Sequence, residues 1–130
     1  MATFLLDTSV IIDAINNKRE RREFLRGLIE QGNLLACCPI SVTEVYAGLR
    51  PKEEPSTRNF LRALELYSLT WPVAELAGLL KRDYGRKGRM LNLGDVIIAA
   101  TALHHSLPLL TDNTKDFPMQ GLRLYPLPGR

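Results

Sequence analysis

The stretch Thr3-Phe4-Leu5-Leu6-Asp7-Thr8-Ser9-Val10-Ile11-Ile12 decides how this chain folds. Residues 3–6 are an apolar run stopped by an acid, the pattern of a short buried strand. Residues 9–15 continue as a helix. Asp7 therefore stands where a buried strand ends, a costly place for an unpartnered charge. Taken alone, it reads equally as a turn or cap residue and as a group with chemistry to perform.

The same alternation repeats outward from this start. Residues 18–30 read as a charged helix whose buried stripe is Phe24, Leu25, Leu28 and Ile29. Residues 34–38 form a second strand, ended by Pro39. Ser41 then caps a helix that carries Val42, Val45, Tyr46 and Leu49 on one face. Residues 51–56 break it, and 57–67 are helical with Phe60, Leu61 and Leu64 inward. A short strand is expected at 69–71. Val73, Leu76, Ala77 and Leu80 mark another helix, which ends near Gly85 or Gly88. The segment Leu93–His105 is apolar nearly all round, so it is a buried helix. Pro108 opens a strand at 109–111, and 123–125 form the last. Strands alternating with helices argue for an α/β fold with a parallel sheet covered on both faces. In such sheets ligands gather outside the carboxyl ends of the strands.

A chain of 130 residues suggests a single domain over 1–130, with 126–130 as a mobile tail. No apolar run approaches the ~20 residues that a membrane span needs. The N-terminus lacks the basic region of a signal peptide. Cys37 and Cys38 are adjacent, so on a strand they face opposite ways. They read as buried residues of a cytoplasmic protein, neither disulfide-bonded nor zinc-binding. The formal charge of +3 leans only slightly toward a polyanionic partner.

The position of five acids is more telling. Asp7 ends the first strand. Glu44 and Asp95 lie in first turns of helices, and Asp112 and Asp116 follow the fourth strand. In an α/β sandwich all of them lie near one edge of the sheet, where carboxylates repel one another and favour a cation. Hard oxygen donors point to Mg²⁺ or Mn²⁺. Such a set can activate water and stabilise in-line displacement at a phosphodiester. Each acid also has a plainer reading. Ser41 to Glu44 has capping-box spacing, and Asn92 to Asp95 has the same. Asp112 suits a turn. The signal lies in the combination.

Four segments in order carry a family resemblance. Phe4-Leu5-Leu6-Asp7-Thr8-Ser9 resembles the opening of PIN domains. Ile40-Ser41-Val42-Thr43-Glu44-Val45-Tyr46-Ala47-Gly48-Leu49 resembles their second motif, Leu93-Gly94-Asp95-Val96-Ile97-Ile98-Ala99-Ala100 the third, and Leu110-Thr111-Asp112-Asn113-Thr114-Lys115-Asp116-Phe117 the fourth. Length and layout are similar to those of the VapC-type toxins. The resemblance implies a three-layer α/β/α sandwich with a Rossmann-like parallel sheet of four to five strands. It implies a divalent-metal endoribonuclease that leaves a 5′-phosphate and a 3′-hydroxyl without a side-chain nucleophile. By position, Asp7, Glu44, Asp95 and Asp116 are the catalytic metal-site acids for Mg²⁺ or Mn²⁺. Asp112, on a variable position, is the alternative fourth acid. Thr8, Ser9, Thr111, Asp112 and Asn113 are the supporting residues around them. The implied partners are RNA, a cognate antitoxin whose segment plugs the acidic site, and a second copy of the chain.

Lys81, Arg82, Arg86, Lys87 and Arg89 fall just before the Asp95 motif, where they could bind RNA phosphates or simply solvate a helix end. Lys18, Arg19, Arg21, Arg22 and Arg26 are interleaved with acids and read as an ordinary charged face. Adjacent His104 and His105 diverge on a helix and suit a structural role. Tyr67 and Trp71 read as core. Three competing functions are an RNA-processing PIN nuclease without an antitoxin, a non-catalytic PIN-like binding module, and a receiver-type or phosphatase α/β domain with Asp7 as nucleophile. The last expects an acid two residues on, where Ser9 stands.

Overall fold

In the computed structural model, which describes residues 1–128, five strands form one parallel sheet: β1 (Thr3–Leu6), β2 (Leu34–Cys37), β3 (Glu65–Leu66), β4 (Leu109–Leu110) and β5 (Leu124–Tyr125). Their order is β3-β2-β1-β4-β5, which places β1 at the centre. The helices are α1 (Thr8–Ile15), α2 (Arg21–Glu30), α3 (Pro39–Ala47), α4 (Glu54–Arg62), α5 (Trp71–Arg86) and α6 (Leu93–His105).

The period-two pleat sorts the strand residues into two separate cores. Leu5, Ala36, Cys38 and Leu109 pack with Val73 and Ala77 of α5 and with Val96 and Ala99 of α6. Phe4, Leu6, Leu35, Cys37 and Leu110 pack on the other side with Val10, Ile11, Leu25 and Leu61. The result is the three-layer α/β/α sandwich. The two cysteines are free and buried, one in each core, as their adjacency implies. Burial lifts both thiols to a pKa of about 11, so they stay neutral.

Several boundaries differ from the sequence reading. The helix expected at 18–30 begins at Arg21. Asn17, Arg19 and Glu20 adopt left-handed backbone with φ of 55°, 54° and 55°, which a helix cannot accommodate. Arg21 is fully buried rather than part of a charged face, and Ile29 is largely exposed. The next helix starts at Pro39 with Cys38 as its N-cap, so Ser41 is not a cap but a buried residue inside the helix. Proline at the first position lacks only an N–H that has no partner there anyway. Pro55 and Pro72 likewise mark starts, of α4 and α5. The third strand is consequently Glu65–Leu66 instead of 69–71. Trp71 opens α5 with 82% of its surface exposed, contrary to its core assignment. Leu127 packs against the α2-side core, and Arg21 donates to the Pro128 carbonyl at 2.7 Å, so residues 126–128 are tied down. Gly129 and Arg130 of the expected tail lie outside the described residues.

Candidate functional site

Asp7 follows the last residue of β1, where the chain turns into α1. Its extended backbone (φ −68°, ψ 152°) and its side chain cap that helix. Oδ1 accepts from the Thr8 amide at 2.8 Å. Oδ2 accepts from Thr111 Oγ1 at 2.7 Å and Ser9 Oγ at 3.2 Å. Only 4% of Asp7 is exposed. Burial pushes its pKa up, with a further rise from Glu44, while the three hydrogen bonds hold it down. The capping reading and the cluster reading of Asp7 are thus compatible.

Glu44 projects from α3 and is exposed. Thr8 Oγ1 lies 2.7 Å from Glu44 Oε1 and 2.8 Å from Ser41 Oγ. A hydroxyl has one proton and a carboxylate only accepts, so Thr8 donates to Glu44 and accepts from Ser41. Among the described residues Glu44 accepts no backbone amide that would close a capping box. Ser41 is the residue that sequence reasoning missed, because its spacing to Glu44 mimics a cap. Glu44 Oε2 also faces the first turn of α6: a Cβ added to Gly94 would lie 3.3 Å from it.

Asn92 caps α6 by accepting from the Gly94 amide at 2.8 Å, which places Asp95 one residue further into the first turn. Asp95 is half-buried, and its pKa is pushed up to about 6. Burial is the largest cause, followed by the charges of Asp7, Asp116 and Glu44. Asp116 ends a short 3-10 turn, Thr114–Asp116, and its amide donates to the Asn113 carbonyl at 2.9 Å. Carboxylates from three other segments therefore act on Asp95 at the carboxyl edge of the sheet. Among the described residues no Lys, Arg or His forms an ion pair with any of the four. Their oxygen donors suit a hard divalent cation in kind. Among the described residues, however, no three His, Cys, Asp or Glu side chains are gathered tightly enough to hold one as they stand.

The supporting residues divide. Thr8, Ser9 and Thr111 bond directly to the acids. Asn113 contributes through its backbone, its amide donating to Thr111 Oγ1 at 2.9 Å. Asp112 turns away to Arg21, accepting from Nη2 at 2.6 Å and Nε at 3.3 Å. Asp116 is among the acids whose charge acts on Asp95.

The basic group spreads along the end of α5 and the loop after it. Lys81 donates to the Leu91 carbonyl at 2.6 Å, and Arg82 pairs with Asp83 at 3.0 Å. Lys87 sits over the Tyr84 ring, and Arg86 is exposed. Arg89 donates to the Lys115 carbonyl, which brings this loop beside Asp116. His104 and His105 end α6, about ten residues and ~15 Å of helix from Asp95. An apolar concavity of about 460 Å³ lies apart from the acids, lined by Leu25, Ile29, Leu34, Phe60 and Leu64. Among the described residues no helix is long and apolar enough to cross a membrane.

The PIN-domain family model matches residues 4–118, a span that contains all four acids. Ribonuclease VapC19 of Mycobacterium tuberculosis is 31% identical over 115 residues, covering 88% of this chain and 92% of the relative. Among solved structures, VapBC2 from Rickettsia felis, bound to a DNA fragment from the promoter, superposes with a TM-score of 0.81 at 26% identity, covering 95% of this chain and 97% of that one. A toxin–antitoxin complex from Klebsiella pneumoniae superposes with a TM-score of 0.78 at 31% identity, covering 98% of both chains. In sequence and in fold, the chain belongs to the PIN-domain family.

Proposed function

We propose that this chain is a VapC-type ribonuclease, the toxin of a type II toxin–antitoxin pair, and that it cleaves RNA endonucleolytically with Mg²⁺ or Mn²⁺ held by Asp7, Glu44, Asp95 and Asp116. The observation that carries this reading is the half-buried Asp95, whose ionisation is opposed by three other carboxylates, while among the described residues no Lys, Arg or His pairs with any of the four. When bound, a divalent cation supplies charge neutralisation at the phosphate and a lowered pKa for water. The chain's own residues do the rest. Thr111, Thr8 and Ser9 fix both oxygens of Asp7. Thr8, braced by Ser41, aims Glu44. Arg86, Lys87 and Arg89 hold the RNA backbone beside Asp116 without reading its sequence.

An antitoxin partner is supported by the toxin–antitoxin complexes among the neighbours. The exposed Ile29 and Leu34 beside the apolar concavity are consistent with a protein partner as well. The reading places the protein in the cytoplasm as a homodimer and, with its antitoxin, a hetero-oligomer.

The deciding experiment incubates the protein, stripped of any antitoxin, with structured RNA in Mg²⁺ or Mn²⁺. Cleavage that EDTA and Asp95→Asn both abolish is the expected result. Cleavage that survives either one overturns the metal-site assignment. If no RNA is cut and calorimetry detects no metal binding, the chain is a binding module.

A further inference from the structure

Among the described residues the largest fully buried side chain is a charged one, and it lies outside the acid cluster. Arg21 is fully buried, and its partner Asp112 has a side chain only 3% exposed. The guanidinium meets the carboxylate as a fork, Nη2 to Oδ1 at 2.6 Å and Nε to Oδ2 at 3.3 Å. Nη1 donates to the Arg19 carbonyl at 3.2 Å and the Pro128 carbonyl at 2.7 Å. Burying two charges is a poor route to stability, since apolar residues of similar volume usually serve as well. The local backbone also resists this arrangement: Arg19 and Glu20, just before Arg21, both occupy left-handed conformation. A fork of this kind specifies geometry.

The geometry it specifies is that of the segment carrying the fourth acid. Asp112 directly follows Thr111, whose hydroxyl holds Asp7, and directly precedes Asn113, whose amide bonds back to that hydroxyl and whose carbonyl takes the Asp116 amide. The segment is thus gripped from the sheet by Asp7 and from α2 by Arg21. We infer that the Arg21–Asp112 pair is a positioning device: it fixes residues 111–116 so that Thr111 meets Asp7 and the Asp116 amide meets the Asn113 carbonyl. Neither residue touches the reacting atoms. The metal-related part of this inference rests on the site proposed above.

The test uses the full chain with Asp112→Asn, which keeps the shape, and with the double change Arg21→Met plus Asp112→Leu, which replaces the pair by apolar volume. Thermal melting selects the variants that fold. Two readouts follow: amide hydrogen exchange at Asn113 and Asp116 in metal-free protein, and calorimetric titration with Mn²⁺ alone. In a folded variant, exchange at those two amides accelerates at least about tenfold while Leu5 and Leu109 remain protected. Mn²⁺ affinity falls on the order of 10–100-fold. A folded variant with wild-type behaviour in either readout overturns the inference. If wild-type protein binds no Mn²⁺, the metal reading fails separately and exchange alone decides on the clamp. A double variant that recovers the melting temperature but not the loop protection distinguishes positioning from simple stabilisation.

Discussion

Thr111 Oγ1 donates to Asp7 Oδ2 across 2.7 Å, joining the end of β4 to the end of β1 although 104 residues separate them in sequence. Both side chains are buried, so neither group has water to replace the other. Thr111→Val keeps the shape but removes the donor to Asp7 and the acceptor for the Asn113 amide. The loss is expected to be about 1–3 kcal/mol of stability and, on the proposed function, roughly 10–100-fold in cleavage rate. Urea titration and single-turnover cleavage measure the two effects. Unchanged values in both would mean that the bond orders nothing.

The acid cluster makes stability depend on pH. Asp95 has a folded pKa of about 6 against an ordinary 3.8, so the folded state holds that proton more tightly. Its contribution is fully present below 3.8 and is lost as pH rises through about 6. Asp7 is raised as well and acts in the same direction. In EDTA, stability should therefore decline across this range, and added Mn²⁺ should flatten the decline. Asp95→Asn should stabilise the metal-free protein near neutrality by roughly 1–3 kcal/mol, the upper figure being reduced by solvent screening. In acid it should change little. Identical pH profiles for the two proteins would contradict this.

Gly94 leaves room for both Asn92 and Glu44 at the start of α6. A Cβ there would stand 3.2 Å from Asn92 Oδ1 and 3.3 Å from Glu44 Oε2. In Gly94→Ala the exposed Glu44 side chain yields first. The gain in helix preference offsets a disturbed cap, so stability should change by no more than about 1 kcal/mol. Cleavage should fall by about tenfold. A variant that melts normally and cuts normally would remove Glu44 from the site.

Arg86 and Lys87 are exposed, Lys87 resting over the Tyr84 ring. Replacing each with alanine in an Asp95→Asn background should weaken RNA binding evenly across sequences. Each should also lower the slope of log affinity against log salt by ~1. Fluorescence anisotropy at several salt concentrations reads both effects. A slope unmoved by the double change would place the RNA elsewhere.

What is legible in the sequence follows from how local each signal is. The helix Leu93–His105 is read with correct ends because an apolar surface all round has few other destinations. β1 is read equally well from its abrupt stop at Asp7. β3 is not, because the exposed pair Glu65-Leu66 carries no alternation and is a strand only by pairing with β2. Prolines 39, 55 and 72 look like breaks, yet they stand in first turns. Within the candidate site, four motifs locate the elements that bear the acids. The order of Thr8, Ser41 and Glu44 is invisible to spacing, since Ser41 and Glu44 fit a capping box that the fold does not form. Arg21 is hidden for the opposite reason. It sits among charges of both signs, and two of the groups that hold it inside, Asp112 and the Pro128 carbonyl, lie 91 and 107 residues away.

The division of the strand residues between two cores turns β1 into a ruler. Leu5 belongs to one layer, and Phe4 and Leu6 to the other. A slip of one residue would exchange all three and advance Asp7 by ~3.3 Å, out of reach of Thr111. An inserted or deleted residue in this strand would therefore be felt twice, as mispacked layers and as a misplaced carboxylate. The same packing that excludes water from the interior also sets the coordinate of the first acid.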